Sequence, residues 1–225
     1  MNFIVLIVIT LFYIIVLIPE YVKEGRKYKI SNVLKRKLTL SIVFCLVGLK
    51  GVFIQSFSFY SILIFIGLLF SLAGDYFLFF IDKNEVKFIF GIFMFALTHI
   101  LYILSMTLLI NYTVWEFIIT LIICVVVFYI VKILMKINLG NAEIPLLVYT
   151  FLLVLMTIKS VFVIYLSSNY ILSKLLFSLG AILFLISDSL LCIDHFALKK
   201  PILKNIRDIP YFIGQIMIAS SIYFI

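Results

Sequence analysis

Residues 70–102 read FSLAGDYFLFFIDKNEVKFIFGIFMFALTHILY. An apolar run carrying Asp75 leads into a short charged turn, residues 82–87, and a second apolar run carrying His99 follows. Each run approaches the roughly 20 residues that a helix needs to cross a lipid hydrocarbon core. The turn between them is long enough only to send the chain back. A related stretch, SLGAILFLISDSLLCIDHF at residues 178–196, is again apolar and again interrupted by an aspartate, Asp188. A charged aspartate at mid-span is disfavoured by about 2.5–3.5 kcal/mol on insertion scales, so such residues pair, titrate or line a wet cavity.

The rest of the chain has the same character. Hydrophobic residues make up 66% and charged residues 12%, with a mean hydropathy of +1.33. Soluble domains hold about 45–50% apolar and about 25% charged residues. An all-α integral membrane protein is expected, because the weak period-2 alternation of a barrel is absent. Apolar runs at residues 3–18, 38–54, 57–81, 88–110, 114–135, 144–165, 171–193 and 206–225 predict a bundle of eight transmembrane helices. They occupy nearly all of residues 1–225, which therefore form one transmembrane domain. The first span lacks basic residues ahead of it and a small-residue cleavage site after it, and reads as a retained anchor.

The net charge of +8 is distributed by topology. Apart from Lys50, Lys159 and Lys174, the basic residues fall in or beside the odd-numbered loops. The positive-inside rule then makes those loops cytoplasmic and both termini extracytoplasmic. This distribution argues against nucleic acid as a partner; the bilayer is the partner. The basic stretch 20–37 also suits an anionic inner leaflet. Lys37, at the inner mouth of the second span, either snorkels to the headgroups or contacts a phosphate. Cys45, Cys124 and Cys192 lie at unrelated spacings inside apolar spans and read as small core residues.

Helical spacing sorts the polar residues by face. Ser71 precedes Asp75 by one turn, and Gly74 lets a neighbouring helix come close. Gly91, Phe95, His99 and Tyr102 form one inward stripe on the next span, and Gly180, Phe184 and Asp188 another on the seventh. Pro145 fits the first turn of the sixth span. On the last span Gln215 follows Tyr211 by one turn. Because successive helices alternate in direction, Asp75, Asp188, Tyr149, Tyr211 and Gln215 are all expected in the cytoplasmic half, with His99 near the middle. That pattern predicts a polar site opening toward the cytoplasm. The fifth span, with only Glu116 at its outer end, reads as packing and lipid contact.

Several chemistries are excluded by the residues present. There is no G-x-S-x-G elbow, no H-E-x-x-H and no P-loop. His99 and His195 are the only histidines, which rules out a three-His zinc site. Two carboxylic acids in an apolar shell remain. One can be held neutral as a proton donor while the other, ionised, holds or deprotonates water. Reactions through an oxocarbenium ion need that division of labour. Hydrolysis of a vinyl ether is one of them.

The blocks SLAGDYFLFF, FGIFMFALTHILY, IPLLVYTFLLVLM, GAILFLISDSLL and PYFIGQIMIASS, in this order and spacing, resemble the YhhN-like family of membrane lysoplasmalogenases from about Lys35 to the C-terminus. The resemblance implies an eight-helix, multi-pass hydrolase of the bacterial cytoplasmic membrane. It would cleave the alkenyl ether of a lysophospholipid (lysoplasmalogen) to a fatty aldehyde and glycerophosphoethanolamine or glycerophosphocholine, with no cofactor and no metal. It also implies Asp75 and Asp188 as the catalytic pair, with His99, Tyr102, Tyr149, Tyr211 and Gln215 orienting them or the substrate. One departure is Lys37-Leu38 where the family has Lys-Pro. A proton-coupled transporter or lipid-binding membrane protein would use the same intramembrane Asp and His residues, and an enzyme of this fold could act on another lysolipid.

Overall fold

A computed structural model describes residues 3–24, 30–81, 84–134, 139–198 and 201–225, and every regular element among them is helical. The first rod is α1 (Phe3–Phe12), which passes through a π-helical turn (Tyr13–Leu17) into α2 (Ile18–Glu24). There follow α3 (Ile30–Ile54), α4 (Phe59–Leu78), α5 (Glu85–Thr107) and α6 (Val114–Tyr129). A π-helical segment (Ile130–Leu134) prolongs α6, and a 3-10 turn (Gly140–Ala142) opens α7 (Glu143–Leu166). α8 (Ile171–Cys192) is likewise prolonged by Ile193–Leu198, and α9 (Pro201–Ser221) ends in a 3-10 turn.

Among the described residues seven helices are long and apolar enough to cross a membrane, from Val5–Lys23 to Ile171–Ala197. The chain is an integral, multi-pass membrane protein. α9 is not one of the seven: it starts at Pro201 rather than near residue 206, and its first half carries Lys204, Arg207 and Asp208. Pro201 suits a first helical position, where a missing N–H leaves nothing unpaired. Pro210, by contrast, sits inside the helix and removes one backbone hydrogen bond in the turn that presents Tyr211. Of the basic residues behind the orientation argument, Arg26, Lys27, Lys29, Lys83, Lys136, Lys199 and Lys200 lie outside the described residues, as does Asp82.

Burial is inverted relative to a soluble protein. Ser41, Ser71, Asp75, Thr98, His99 and Gln215 are buried, while Ile42, Leu46, Leu69, Phe93 and many residues of α6 face outward. Polar groups in lipid must find partners within the bundle, so they turn inward. The stripe Gly91, Phe95, His99 and Tyr102 is buried as its spacing predicts.

Two features position the centre. α8 and α9 meet at Gly180 and Gly214, where a Cβ on either would lie 2.7 Å from the other's carbonyl oxygen. Backbone cannot yield to such a contact, so glycine at both positions is what lets the helices close together. A Cβ at Gly74 would likewise strike the ring of Phe95 at 2.6 Å, which locks α4 against α5.

α6 stands apart. Within the membrane it packs mainly on α7. An ion pair fastens each end: Lys132 with Glu143, and Lys159 with Glu116 at 3.4 Å. The second pair is fully buried; Lys159 Nζ also donates to the Asn111 carbonyl at 3.0 Å and lies 4.5 Å from the Tyr112 ring centroid. Glu116, the polar exception in the fifth span, ties α6 to α7, while most of the helix faces outward.

Candidate active site

Asp75 lies one turn before the end of α4 and is 1% exposed. Three donors converge on it. Ser41 Oγ and Tyr211 Oη each donate to Oδ2 at 2.6 Å, and Lys37 Nζ stands 3.3 Å from Oδ1. Lys37 and Ser41 are one turn apart on α3, so a single helix face supplies both. Lys37 is only 8% exposed. Its ammonium pairs with Asp75 inside the bundle, a partner that neither snorkelling nor a phosphate contact anticipates.

Asp188 lies one turn before the end of α8 and accepts a hydrogen bond from Tyr149 Oη on α7. It is partly exposed, and what it faces is a cavity. Among the described residues no hydrogen bond joins it to Asp75. One face of α8 links the two: Phe184, one turn before Asp188, packs against Tyr211, which donates to Asp75. An aromatic chain connects them. The Tyr211 ring packs edge-on against Phe184 at 5.3 Å, Phe184 against His99 at 5.0 Å, and His99 against Tyr149 at 5.1 Å.

His99 is fully buried, and neither ring nitrogen has a hydrogen-bond partner among the described residues. Such a group in a protein interior marks a strain, a catalytic role or an unseen water. One turn deeper, Tyr102 Oη donates to Gln215 Oε1 at 2.9 Å, and Gln215 Nε2 donates to Ser71 Oγ at 2.9 Å. Ser71 in turn contacts Thr98 at 3.3 Å. Tyr102 and Gln215 are therefore paired with each other and not with either aspartate; they brace α4, α5 and α9 beneath Asp75.

The cavity has a volume of about 260 Å³ and lies among α5, α6, α7 and α8. Tyr149 and Asp188 sit on a wall that is otherwise largely apolar, with Ile123, Val127, Leu153 and Leu185 as examples. Asp75 is not on that wall. A site of this form, an apolar cleft with a few convergent polar groups, is what an amphipathic ligand requires. Among the described residues no group of three or more His, Cys, Asp or Glu side chains is placed to hold a metal ion.

Beyond Asp188 a charged layer closes the same end of the bundle. Arg207 donates to Asp194 Oδ2 at 2.9 Å and approaches Asp208 at 3.5 Å, and Tyr21 Oη donates to Asp208 Oδ2. Ser41, Arg207 and this layer were not legible as site residues. The spacing of Ser41 from Lys37 is the one sequence signal that points to any of them.

A family model, that of the YhhN family, matches residues 33–222, and the chain belongs to this family. None of the curated proteins and none of the solved structures compared with the chain matches it.

Proposed function

We propose that this YhhN-family protein is a lysoplasmalogenase, hydrolysing the alkenyl ether of a lysophospholipid to a fatty aldehyde and a glycerophospho-alcohol. The observation that carries the reading is the position of Asp188: an ionisable carboxyl, held by Tyr149, on the wall of an apolar cavity. The cavity accepts the hydrocarbon chain, and the bond to be cleaved comes to rest where that chain meets its first oxygen.

Asp188 delivers a proton to the alkenyl carbon remote from the ether oxygen. The double-bond electrons form the new C–H bond, and positive charge spreads over the adjacent carbon and the oxygen. Water adds to that carbon and gives its proton back to the Asp188 carboxylate. The resulting hemiacetal collapses, breaking the C–O bond to glycerol and leaving an aldehyde and a free hydroxyl. Asp75 surrounded by three donors has the environment of an anion, and its nearby negative charge favours the oxocarbenium ion over the neutral alkene. His99, whose ring nitrogens have no partner among the described residues, packs on Tyr149 behind the cavity wall and in this reading orients the water through that tyrosine.

The same reading places eight crossings in the bilayer, with both termini extracytoplasmic and the site toward the cytoplasmic face of the bacterial inner membrane. Support comes from Lys35, Arg36, Lys37, Lys132 and Arg207, which gather at the end of the bundle that holds both aspartates. The membrane leaflet and the lysolipid within it are then the protein's partners.

The test compares lysolipids of one headgroup and chain length, with alkenyl, alkyl or acyl attachment, on purified protein in detergent. Aldehyde from the alkenyl lipid alone is the expected result. No aldehyde from it, or fatty acid from the acyl lipid, rejects the assignment.

A further inference from the structure

The cavity beside Asp188 is shallow along the helix axes. Tyr149 holds Asp188, and Val154, the α7 wall residue farthest from the cytoplasmic end, follows Tyr149 by five residues, a rise of about 7–8 Å. On α8 the wall ends at Leu185, three residues before Asp188. Beyond that level Ala181 and Phe177 are fully buried, and the bundle is closed. A membrane lipid's chain spans one leaflet of the hydrocarbon core, about 15 Å. In the opposite direction the space continues into a second cavity of about 300 Å³, but Asn84 and Glu85 line it and it suits no hydrocarbon. A long chain whose first carbons lie at Asp188 therefore has to leave the bundle sideways.

Among the described residues one seam offers that exit. α6 packs on α7 and hardly at all on α8, although both α6 and α8 line the cavity. No residue from 121 to 130 of α6 is buried, so the side it turns to the cavity is not sealed. Val127 and Phe128 on α6 and Ser189 on α8 line the cavity and are also exposed, and they form the two rims of a slot. Ser189 Oγ donates to the Leu185 carbonyl at 2.8 Å, so its hydroxyl is satisfied within α8 and does not oppose a passing methylene. Both rims run into π-helical segments, Ile130–Leu134 and Ile193–Leu198, an irregularity frequent at functional sites. The other boundaries are closed. Leu147 on α7 is exposed too, but it lies one turn after Glu143, whose pair with Lys132 ties α7 to α6. α5 contributes only the buried Phe88.

We propose that the chain of a bound lysolipid leaves the cavity through the slot between α6 and α8, so that its far end stays in the bilayer and the site reads only the first few methylenes next to the reacting bond. The proposal rests on the hydrolase reading for placing those first carbons at Asp188, and its test does not depend on turnover. Full-length protein in detergent is titrated with two unreactive 1-alkyl lysophospholipids of one headgroup, one with a plain chain and one with a pyrene at the chain end. Binding is read by displacement of the radiolabelled plain lipid. Wild-type protein is expected to bind both with comparable affinity, because the pyrene lies outside the bundle. A closed pocket would disfavour the pyrene lipid on the order of tenfold or more.

Val127→Trp and Ser189→Trp narrow the slot from its two rims, and each should weaken both lipids on the order of tenfold. Val125→Trp, on the same helix but exposed and off the cavity wall, should leave both unchanged. Thermal unfolding of each variant reports whether it is folded. Rejection of the pyrene lipid by wild-type protein overturns the exit, as does unchanged binding in folded Val127→Trp and Ser189→Trp, whatever the protein does to alkenyl ethers. If both lipids bind, the rim variants lose them and wild-type protein releases no aldehyde, the slot stands and the hydrolase reading falls.

Discussion

Asp188→Asn protein is expected to fold normally and to release aldehyde at least about a hundredfold more slowly than wild type, within the range of about 10²–10⁴ ascribed to a positioned acid or base. The amide keeps the shape of the carboxyl and can still accept the Tyr149 hydroxyl proton. It cannot donate to carbon and be restored by water. Because Asp188 is held by one tyrosine and is partly exposed to the cavity, its loss leaves no buried charge stranded. Binding of an unreactive alkyl lysolipid should therefore survive. An Asp188→Asn protein with near wild-type turnover would remove this residue from the reaction.

Lys37 and Asp75 are expected to respond differently, since each neutralises the other in a dry environment. Removing one member of a buried pair leaves an uncompensated charge, which costs about 3–5 kcal/mol, whereas replacing both can be close to neutral. Lys37→Met is thus expected to lower the unfolding temperature sharply. The double variant Lys37→Met/Asp75→Asn should recover most of that loss. Recovery of stability should not bring recovery of activity, because the negative charge near Asp188 is gone. A stable double variant with wild-type turnover would show that Asp75 serves only the fold. Unfolding curves and aldehyde release on the same preparations separate the two outcomes.

The fold was legible to the extent that hydropathy determines it. Apolar run length marks the helices of residues 38–193 because only a spanning helix satisfies its own backbone in lipid. α9 departs from the pattern because its first half carries the charges of Arg207 and Asp208, which bond to Asp194 and Tyr21 and need no water. The helical stripes were equally readable. Phe95 and His99, one turn apart on α5, both face Phe184 on α8, as their shared apolar face requires.

Partner choice within the site was not readable, since it depends on contacts between helices distant in sequence. Tyr211 and Tyr149 look alike as tyrosines in apolar spans. In the folded chain the first belongs to Asp75 and the second to Asp188. Gln215 and Tyr102 satisfy each other, a pairing that helix spacing alone does not reveal. Lys37 looked like a surface residue because it ends a basic run. Its spacing from Ser41 turns it inward to Asp75 instead. The buried Glu116–Lys159 pair escaped for the same reason, being formed between two spans by residues that each look peripheral.

Proton delivery to carbon at Asp188 is the step on which the whole account depends, and heavy water reads it directly. Wild-type protein turning over an alkenyl lysolipid in D2O, with the aldehyde reduced as it forms, should yield an alcohol bearing one deuterium on the carbon next to the original carbonyl, at a rate below that in H2O. Aldehyde formed without deuterium at that carbon would contradict proton transfer to the alkene, and with it the role assigned to Asp188.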